Sequence, residues 1–169
     1  HKFAPWGFDG GQAGFPAERI ALHGNNKSGA ELREAIEAEV RYIVVDSFDE
    51  LDRLDVLAAT GIGPTPRVVL RITPGVHAHT HEFIATGQDD SKFGFNLANG
   101  DALQAVDRAR RADSVDLVGV HCHIGSNVFE ASSFAKAAEV MADFAVPLDL
   151  PELILGGGLG VAYLASEEA

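Results

Sequence analysis

Short apolar runs alternate with helical patterns along most of the chain, and this alternation constrains the fold more than any other feature. Each run is rich in Val, Ile and Leu. The runs occupy residues 19–23, 42–46, 67–73, 115–124 and 150–158. Continuous apolar strands are typical of parallel sheets that helices cover on both faces. We therefore predict an α/β fold with about five parallel strands and flanking helices.

The segments between these runs carry the spacing of amphipathic helices. Ser28 is the predicted N-cap of the first helix. Ser47 and Glu50 form the S-x-x-E pattern of a capping box, which predicts the start of the second. The predicted helices cover residues 30–39, 51–58, 101–112 and 131–145.

A repeated βα order leaves two architectures open, a doubly wound sheet and a (β/α)₈ barrel. Five strands do not close an eight-stranded barrel, which usually takes about 250 residues. The chain has 169 residues. A barrel therefore implies a partial (β/α)₈ TIM barrel, and we expect this chain to be a fragment of it.

Charge and hydropathy exclude several classes of partner. The formal net charge is −12, which argues against nucleic acid or an anionic membrane surface as the main partner. No apolar run approaches the roughly 20 residues that span a bilayer. The chain has one cysteine, Cys122, so it forms no internal disulfide. This composition suits a cytoplasmic protein.

The stretch HCHIGS, residues 121–126, ends the fourth predicted strand. Side chains alternate along a strand, so His121 and His123 share one face and Cys122 points to the other. Such an H-x-H could bind a metal together with the histidines of HAHTH, residues 77–81. No bridging carboxylate or lysine accompanies it, so we predict no metal site. Hydrogen-bonded strand-end histidines are a further alternative.

The glycine run GGGLG, residues 156–160, follows the fifth predicted strand. Glycines let the backbone turn tightly, and their N–H groups can form a nest for phosphate. The spacing is not the G-x-G-x-x-G of dinucleotide-binding folds, and a tight structural turn would need the same residues. Ser126 ends the preceding strand, and adjacent parallel strands would bring the two ends together. The pair predicts a phosphate site.

Six motifs in this order resemble the diaminopimelate decarboxylase family, pyridoxal-phosphate enzymes of the alanine-racemase-like barrel class. They are HGNNKS, VDSFDEL, LRITPG, HTHEFIATGQDDSKFGF, GVHCHIGS and LGGGLGVAY. The resemblance runs from about residue 14 to residue 163. It implies that the parent enzyme uses pyridoxal 5'-phosphate (PLP) to convert meso-2,6-diaminopimelate to L-lysine and CO₂, and that it is a homodimer.

The resemblance also implies roles for individual residues. His123 would be the catalytic residue that stacks on the cofactor ring. Ser126 and the loop of Gly156, Gly157 and Gly158 would bind its phosphate. Arg71 and Lys92 would line the wall of the active site.

Other parts of the family pattern are missing from the sequence. The lysine to which the family attaches its cofactor lies upstream of HGNNKS, and the C-terminal β domain follows GGGLG. Lys2 does not match the lysine motif, so residues 1–13 are interpreted as an atypical leader and 14–169 as a partial PLP-binding barrel domain. We expect this chain alone to have little or no decarboxylase activity.

Three alternative functions remain open from the sequence. One is a PLP-dependent decarboxylase acting on another basic amino acid. The second is a metal-dependent barrel hydrolase. The third is a non-catalytic module that binds phosphate.

Overall fold

Six strands and four α-helices alternate in the computed structural model, which describes residues 14–76, 93–126 and 128–160. The strands are β1 Ala21–Leu22, β2 Tyr42–Val45, β3 Arg67–Thr73, β4 Phe95–Asn96, β5 Asp116–Cys122 and β6 Glu152–Leu155. The helices are α1 Gly29–Glu37, α2 Phe48–Ala58, α3 Asp101–Arg111 and α4 Ala131–Ala145. Two 3₁₀ turns cover Ala17–Arg19 and Val146–Leu148. The five predicted strands are confirmed, and the two-residue β4 was not predicted.

All strand pairs are parallel, in the order β1-β2-β3-β5-β6, and β4 pairs with the end of β3. The sheet is strongly curved. Arg41, just before β2, forms a 3.1 Å ion pair with Glu152 at the start of β6, although two strands lie between them. In a flat sheet those strands would be about 14 Å apart. The described part of the chain is thus a parallel half-barrel sheet with flanking helices.

Local sequence chemistry sets where the first two helices begin. A complete capping box forms at α1, where Ser28 Oγ accepts from the Glu31 N–H at 3.2 Å and Glu31 accepts from the Ser28 N–H at 2.6 Å. At α2 the predicted box is only half formed. Ser47 Oγ accepts from the Glu50 N–H, but the Glu50 carboxylate accepts from the Asp46 N–H at 2.7 Å. Glu50 is therefore turned inward, toward the end of β2.

The main core lies between the sheet and its helices. Its largest fully buried side chains include Leu32, Ile43, Leu51, Leu70 and Met141. A smaller cluster of Tyr42, Val69 and Val118 occupies the opposite face of the sheet.

An irregularity between β3 and β5 decides which β5 side chains face the helices. Val68 pairs with Leu117, yet the next residue, Val69, pairs with Gly119, so β5 carries one extra residue, Val118. Such a bulge reverses the side-chain alternation downstream of it. His121 consequently lies on the face away from the helices, while Cys122 belongs to the helix-side core.

Candidate functional site

A row of three residues in register crosses the sheet near the carboxyl ends of its strands, and two of them are polar. Arg71 on β3 pairs in register with His121 on β5, which pairs with Ile154 on β6. These residues line a cleft of about 510 Å³. The other lining residues are His23, Gly24, His123, Leu155, Gly156 and Gly157. Ligand sites of α/β proteins lie at this edge of the sheet, because the loops that follow the strands converge there.

His121 forms the buried floor of the cleft. Its side chain is 5% exposed, and its Nδ1 has no hydrogen-bond partner among the described residues. Burial, with further contributions from His23, Arg71 and His123, lowers the pKa of His121 to about 3. The His23 ring approaches it edge-on, with centroids 4.9 Å apart. The neutral His121 imidazole therefore gives the cleft a polar but uncharged floor. Within the described residues, its Nδ1 lacks the hydrogen bond expected of a purely structural histidine at a strand end.

His123 lies one step further along the same face, against the glycine loop. A Cβ on Gly156 would come within 2.8 Å of His123 Nδ1, and one on Gly158 within 3.3 Å of His123 Cε1. Only residues without a side chain allow the backbone to lie this close to the imidazole. Burial and the charge of Arg71 lower the pKa of His123, which favours the neutral form of its ring.

The loops after β5 and β6 continue the strand pairing beyond the sheet. Gly156 N–H donates to the Cys122 carbonyl at 2.7 Å, and Val128 N–H donates to the Gly158 carbonyl at 2.8 Å. Gly160 N–H then donates to the Val128 carbonyl at 2.8 Å. The predicted proximity of the two strand ends is therefore confirmed.

This pairing distinguishes the three predicted phosphate-binding glycines. The Gly156 N–H already donates to the Cys122 carbonyl, so it is not available to an anion. The absence of a side chain at Gly156 instead lets the loop lie close to His123. The Gly157 and Gly158 amides donate to no acceptor within the described residues. The Ser126 hydroxyl, on an exposed residue of the neighbouring loop, is likewise not used there. Among the predicted phosphate-binding residues, one hydroxyl and two amides therefore remain as donors for an anion, as a glycine nest requires.

A chain of buried charges supports the cleft from below, and sequence reasoning missed it. Lys27 Nζ lies 2.7 Å from Glu50 Oε1 and donates to the carbonyls of Gly24 at 2.5 Å and Val44 at 2.7 Å. Lys27 and Glu50 are 3% and 2% exposed. Burial raises the pKa of Glu50, and Lys27 opposes that shift. Both residues were present in the quoted motifs, but their spacing of 23 residues gives no sign of pairing.

The chain of charges continues from Glu50 to the cleft wall. Asp46, whose N–H donates to Glu50, pairs its Oδ1 with Arg71 Nη1 at 3.0 Å. Its Oδ2 accepts the Gly94 N–H at 3.3 Å. The Arg71 guanidinium lies 5.1 Å from the centroid of the Phe93 ring.

Most predicted site residues meet in this one place. His123, Arg71 and the glycine loop line or border the cleft, and Ser126 lies in the loop paired with the glycines. Lys92 lies outside the described residues, as do the HAHTH histidines of the alternative metal site. Within 14–76, 93–126 and 128–160, no group of three or more His, Cys, Asp or Glu side chains could hold a metal ion. No helix in these ranges is long and apolar enough to cross a membrane.

Comparison with known proteins agrees with the family resemblance of the sequence motifs. Residues 11–169 match the family described as "Pyridoxal-dependent decarboxylase, pyridoxal binding domain". The diaminopimelate decarboxylase of Corynebacterium efficiens is 48% identical over 162 residues, and that of Bacillus subtilis is 47% identical over 165. Both alignments cover 92% of this chain. They cover 35% and 37% of the relatives, so the chain spans little more than a third of their length.

Solved structures show the same similarity in three dimensions. The crystal structure of diaminopimelate decarboxylase from M. jannaschii in complex with L-lysine aligns with a TM-score of 0.82 and 36% identity. The alignment covers 94% of this chain and 37% of that one. The Helicobacter pylori enzyme, also complexed with L-lysine, aligns with a TM-score of 0.74 and 31% identity, covering 93% and 40%. The partial-barrel fold predicted from the sequence is confirmed.

Proposed function

Because the chain belongs to the pyridoxal-binding domain family of pyridoxal-dependent decarboxylases, we propose that it forms part of the cofactor-binding barrel of a diaminopimelate decarboxylase. The reaction would be decarboxylation of meso-2,6-diaminopimelate to L-lysine and CO₂. The observation that carries this proposal is the packing of the glycine loop against His123. That packing sets the His123 imidazole of the cleft beside the Gly157 and Gly158 amides, which donate to no acceptor within the described residues.

The residues of the cleft fit pyridoxal phosphate. The His123 ring offers a flat, neutral surface, which can lie against a positively charged aromatic ring without charge repulsion. Ser126 Oγ and the amides of Gly157 and Gly158 would hold the phosphate. When bound, the cofactor supplies the electron sink that accepts the electron pair released as CO₂ departs.

The other residues of the cleft shape it around this group. Arg71 supplies a fixed positive charge on the wall, and His121 and His23 line the floor. We propose Lys92, which follows Arg71 in the family pattern, as a second wall residue. Burial lowers the pKa of both His23 and His121, that of His121 to about 3, which leaves Arg71 as the main positive charge of the cleft.

Family similarity also supports proposals about partners and location. Two of the related enzymes of known structure are complexed with L-lysine, which supports a small amino-acid ligand for this cleft. We propose a homodimer, following the resemblance, and a cytoplasmic location, following the composition.

The test is binding of 4'-deoxypyridoxine 5'-phosphate, which has the ring and phosphate of the cofactor but no aldehyde to react with lysines. Saturable binding that is weakened by His123→Ala is expected. Pyridoxine, which lacks the phosphate, should bind much more weakly. Equal affinity for the two compounds would contradict the phosphate site.

A chimera tests the substrate. Residues 14–160 would replace the aligned segment of the Bacillus subtilis relative, and CO₂ release from meso-diaminopimelate would be compared with release from L-ornithine. Preference for diaminopimelate is expected. A folded, cofactor-loaded chimera that does not decarboxylate diaminopimelate would contradict the assignment.

A further inference from the structure

The Asp46 carboxylate makes two bonds that point to different parts of the cleft. Oδ1 holds the Arg71 guanidinium on β3, and Oδ2 holds the Gly94 amide just before β4. Asp46 follows directly after β2, one step beyond the register pair of Val45 and Leu70. One side chain therefore connects β2, β3 and the start of β4.

We propose that Asp46 is a positioning residue of the cleft, which fixes the Arg71 guanidinium on the wall and anchors the Gly94 backbone with the same carboxylate. The inference deepens the proposed function and rests on it, since the role of Arg71 is defined by the cofactor cleft.

Arg71 requires such a partner for a physical reason. Its side chain has many rotamers, and a free guanidinium binds phosphate and carboxylate strongly. In the cleft a loose Arg71 would compete with the glycine loop for an anion. The Arg71 guanidinium instead makes a charge-assisted bond to Asp46 and lies over the Phe93 ring, and its side chain is 19% exposed.

Asp46 is itself fixed from behind. Its side chain is 3% exposed, and its own N–H is held by Glu50, which Lys27 neutralises. Lys27 is bound in turn to the loop after β1 through the Gly24 carbonyl. A buried carboxylate with this support cannot turn away to solvent, so it is suited to define the position of Arg71.

The first measurement needs no ligand. In a nitrogen-15 NMR spectrum, restricted rotation of a bound guanidinium keeps the Arg71 Nη signals separate. They should be separate in the wild type and averaged in Asp46→Asn. The control is Asp52→Asn, which removes an exposed carboxylate that lies 2.8 Å from Arg108 on the outer surface. Separate signals in Asp46→Asn would overturn the proposal.

The second measurement is the affinity for 4'-deoxypyridoxine 5'-phosphate. Asp46→Asn should weaken it about tenfold, the size expected for loss of one charged hydrogen bond. The double variant Asp46→Asn/Arg71→Gln should bind no more weakly than Arg71→Gln, because Asp46 acts through Arg71. Multiplicative losses, or wild-type affinity in Asp46→Asn, would overturn the inference.

Two further outcomes are distinguishable. If Asp46→Asn does not fold, Arg71→Lys replaces it as the test. This variant keeps the positive charge but loses the planar guanidinium, and it should show a comparable loss of affinity for the probe. Unchanged affinity in that variant would overturn the role assigned to Arg71's orientation. If the wild type does not bind the probe, the proposed function fails, and the NMR signals alone decide whether Asp46 fixes Arg71.

Discussion

The carbonyl oxygen of Gly125 lies against the Cα of Gly158 and leaves no space for a side chain between the two loops. Gly158 also has a φ of +111°, a conformation that L residues with a Cβ avoid. Both constraints act on the same residue. They make Gly158 the most restricted position of the candidate phosphate site.

Gly158→Ala should therefore destabilise the chain by about 2–4 kcal/mol, since it combines backbone strain with a clash. Gly157→Ala is the matched control, because a Cβ there meets nothing within 4 Å. Urea unfolding of both variants measures the difference. An equal loss of stability in the two variants would contradict the close packing of Gly158 against the Gly125 carbonyl.

Ser126→Ala should weaken binding of 4'-deoxypyridoxine 5'-phosphate by about tenfold and leave unfolding unchanged, because the residue is exposed and its hydroxyl would contact only the ligand. Pyridoxine affinity should not change, since that compound lacks the phosphate. An equal loss for both compounds would place Ser126 at the ring instead.

Stability should fall as pH decreases from 6.5 toward 3, partly because of His121. In the unfolded chain this imidazole binds a proton near pH 6.5, but the folded pKa is about 3. The unfolded state therefore holds more protons in that window, and the contribution of His121 to stability is complete only above pH 6.5.

His121→Phe should reduce the slope of unfolding free energy against pH by up to about 1.4 kcal/mol per pH unit in this window. Cys122→Ala, one residue further along β5 on the other face, should keep the wild-type slope. The measurement is urea unfolding at several pH values. An unchanged slope in His121→Phe would mean that this imidazole is not held neutral.

Lys27→Met should cost about 3 kcal/mol or more, because it leaves the buried carboxylate of Glu50 without its cation. Lys27→Met/Glu50→Gln should recover part of this loss, because the uncompensated charge is removed as well. Lys136→Met, which removes an exposed 3.2 Å pair with Glu139, should cost less than about 1 kcal/mol. Thermal unfolding of the three variants checks whether their losses of stability follow this order.

Sequence reasoning located the candidate site because its ligand-facing residues follow strands. The alternation of HCHIGS correctly placed His123 on the face opposite to Cys122, and the order of strands correctly predicted that Ser126 and the glycines would be neighbours. These inferences depend only on local periodicity and on parallel pairing, which a sequence displays directly.

The buried charges could not be predicted in the same way. Lys27 and Glu50 belong to motifs that read as a polar loop and a helix cap, and Glu50 was expected to complete the cap at Ser47. In the structure Glu50 turns instead to Asp46 and Lys27, since a carboxylate on this side of α2 reaches the end of β2. Which of these partners the Glu50 carboxylate takes depends on how α2 packs against β2, and the spacing of residues in the sequence carries no information about that packing.

The parallel βα order, the strand ends and the glycine loop are all predictable from the order of residues, because hydrophobic periodicity and glycine content act over a few residues. Three other features follow from the assembled fold: the Gly156 amide donates to the Cys122 carbonyl, Asp46 pairs with Arg71, and Val118 forms a bulge. Each of these joins groups on different strands. Their free energy depends on register and burial, which exist only once the strands are assembled.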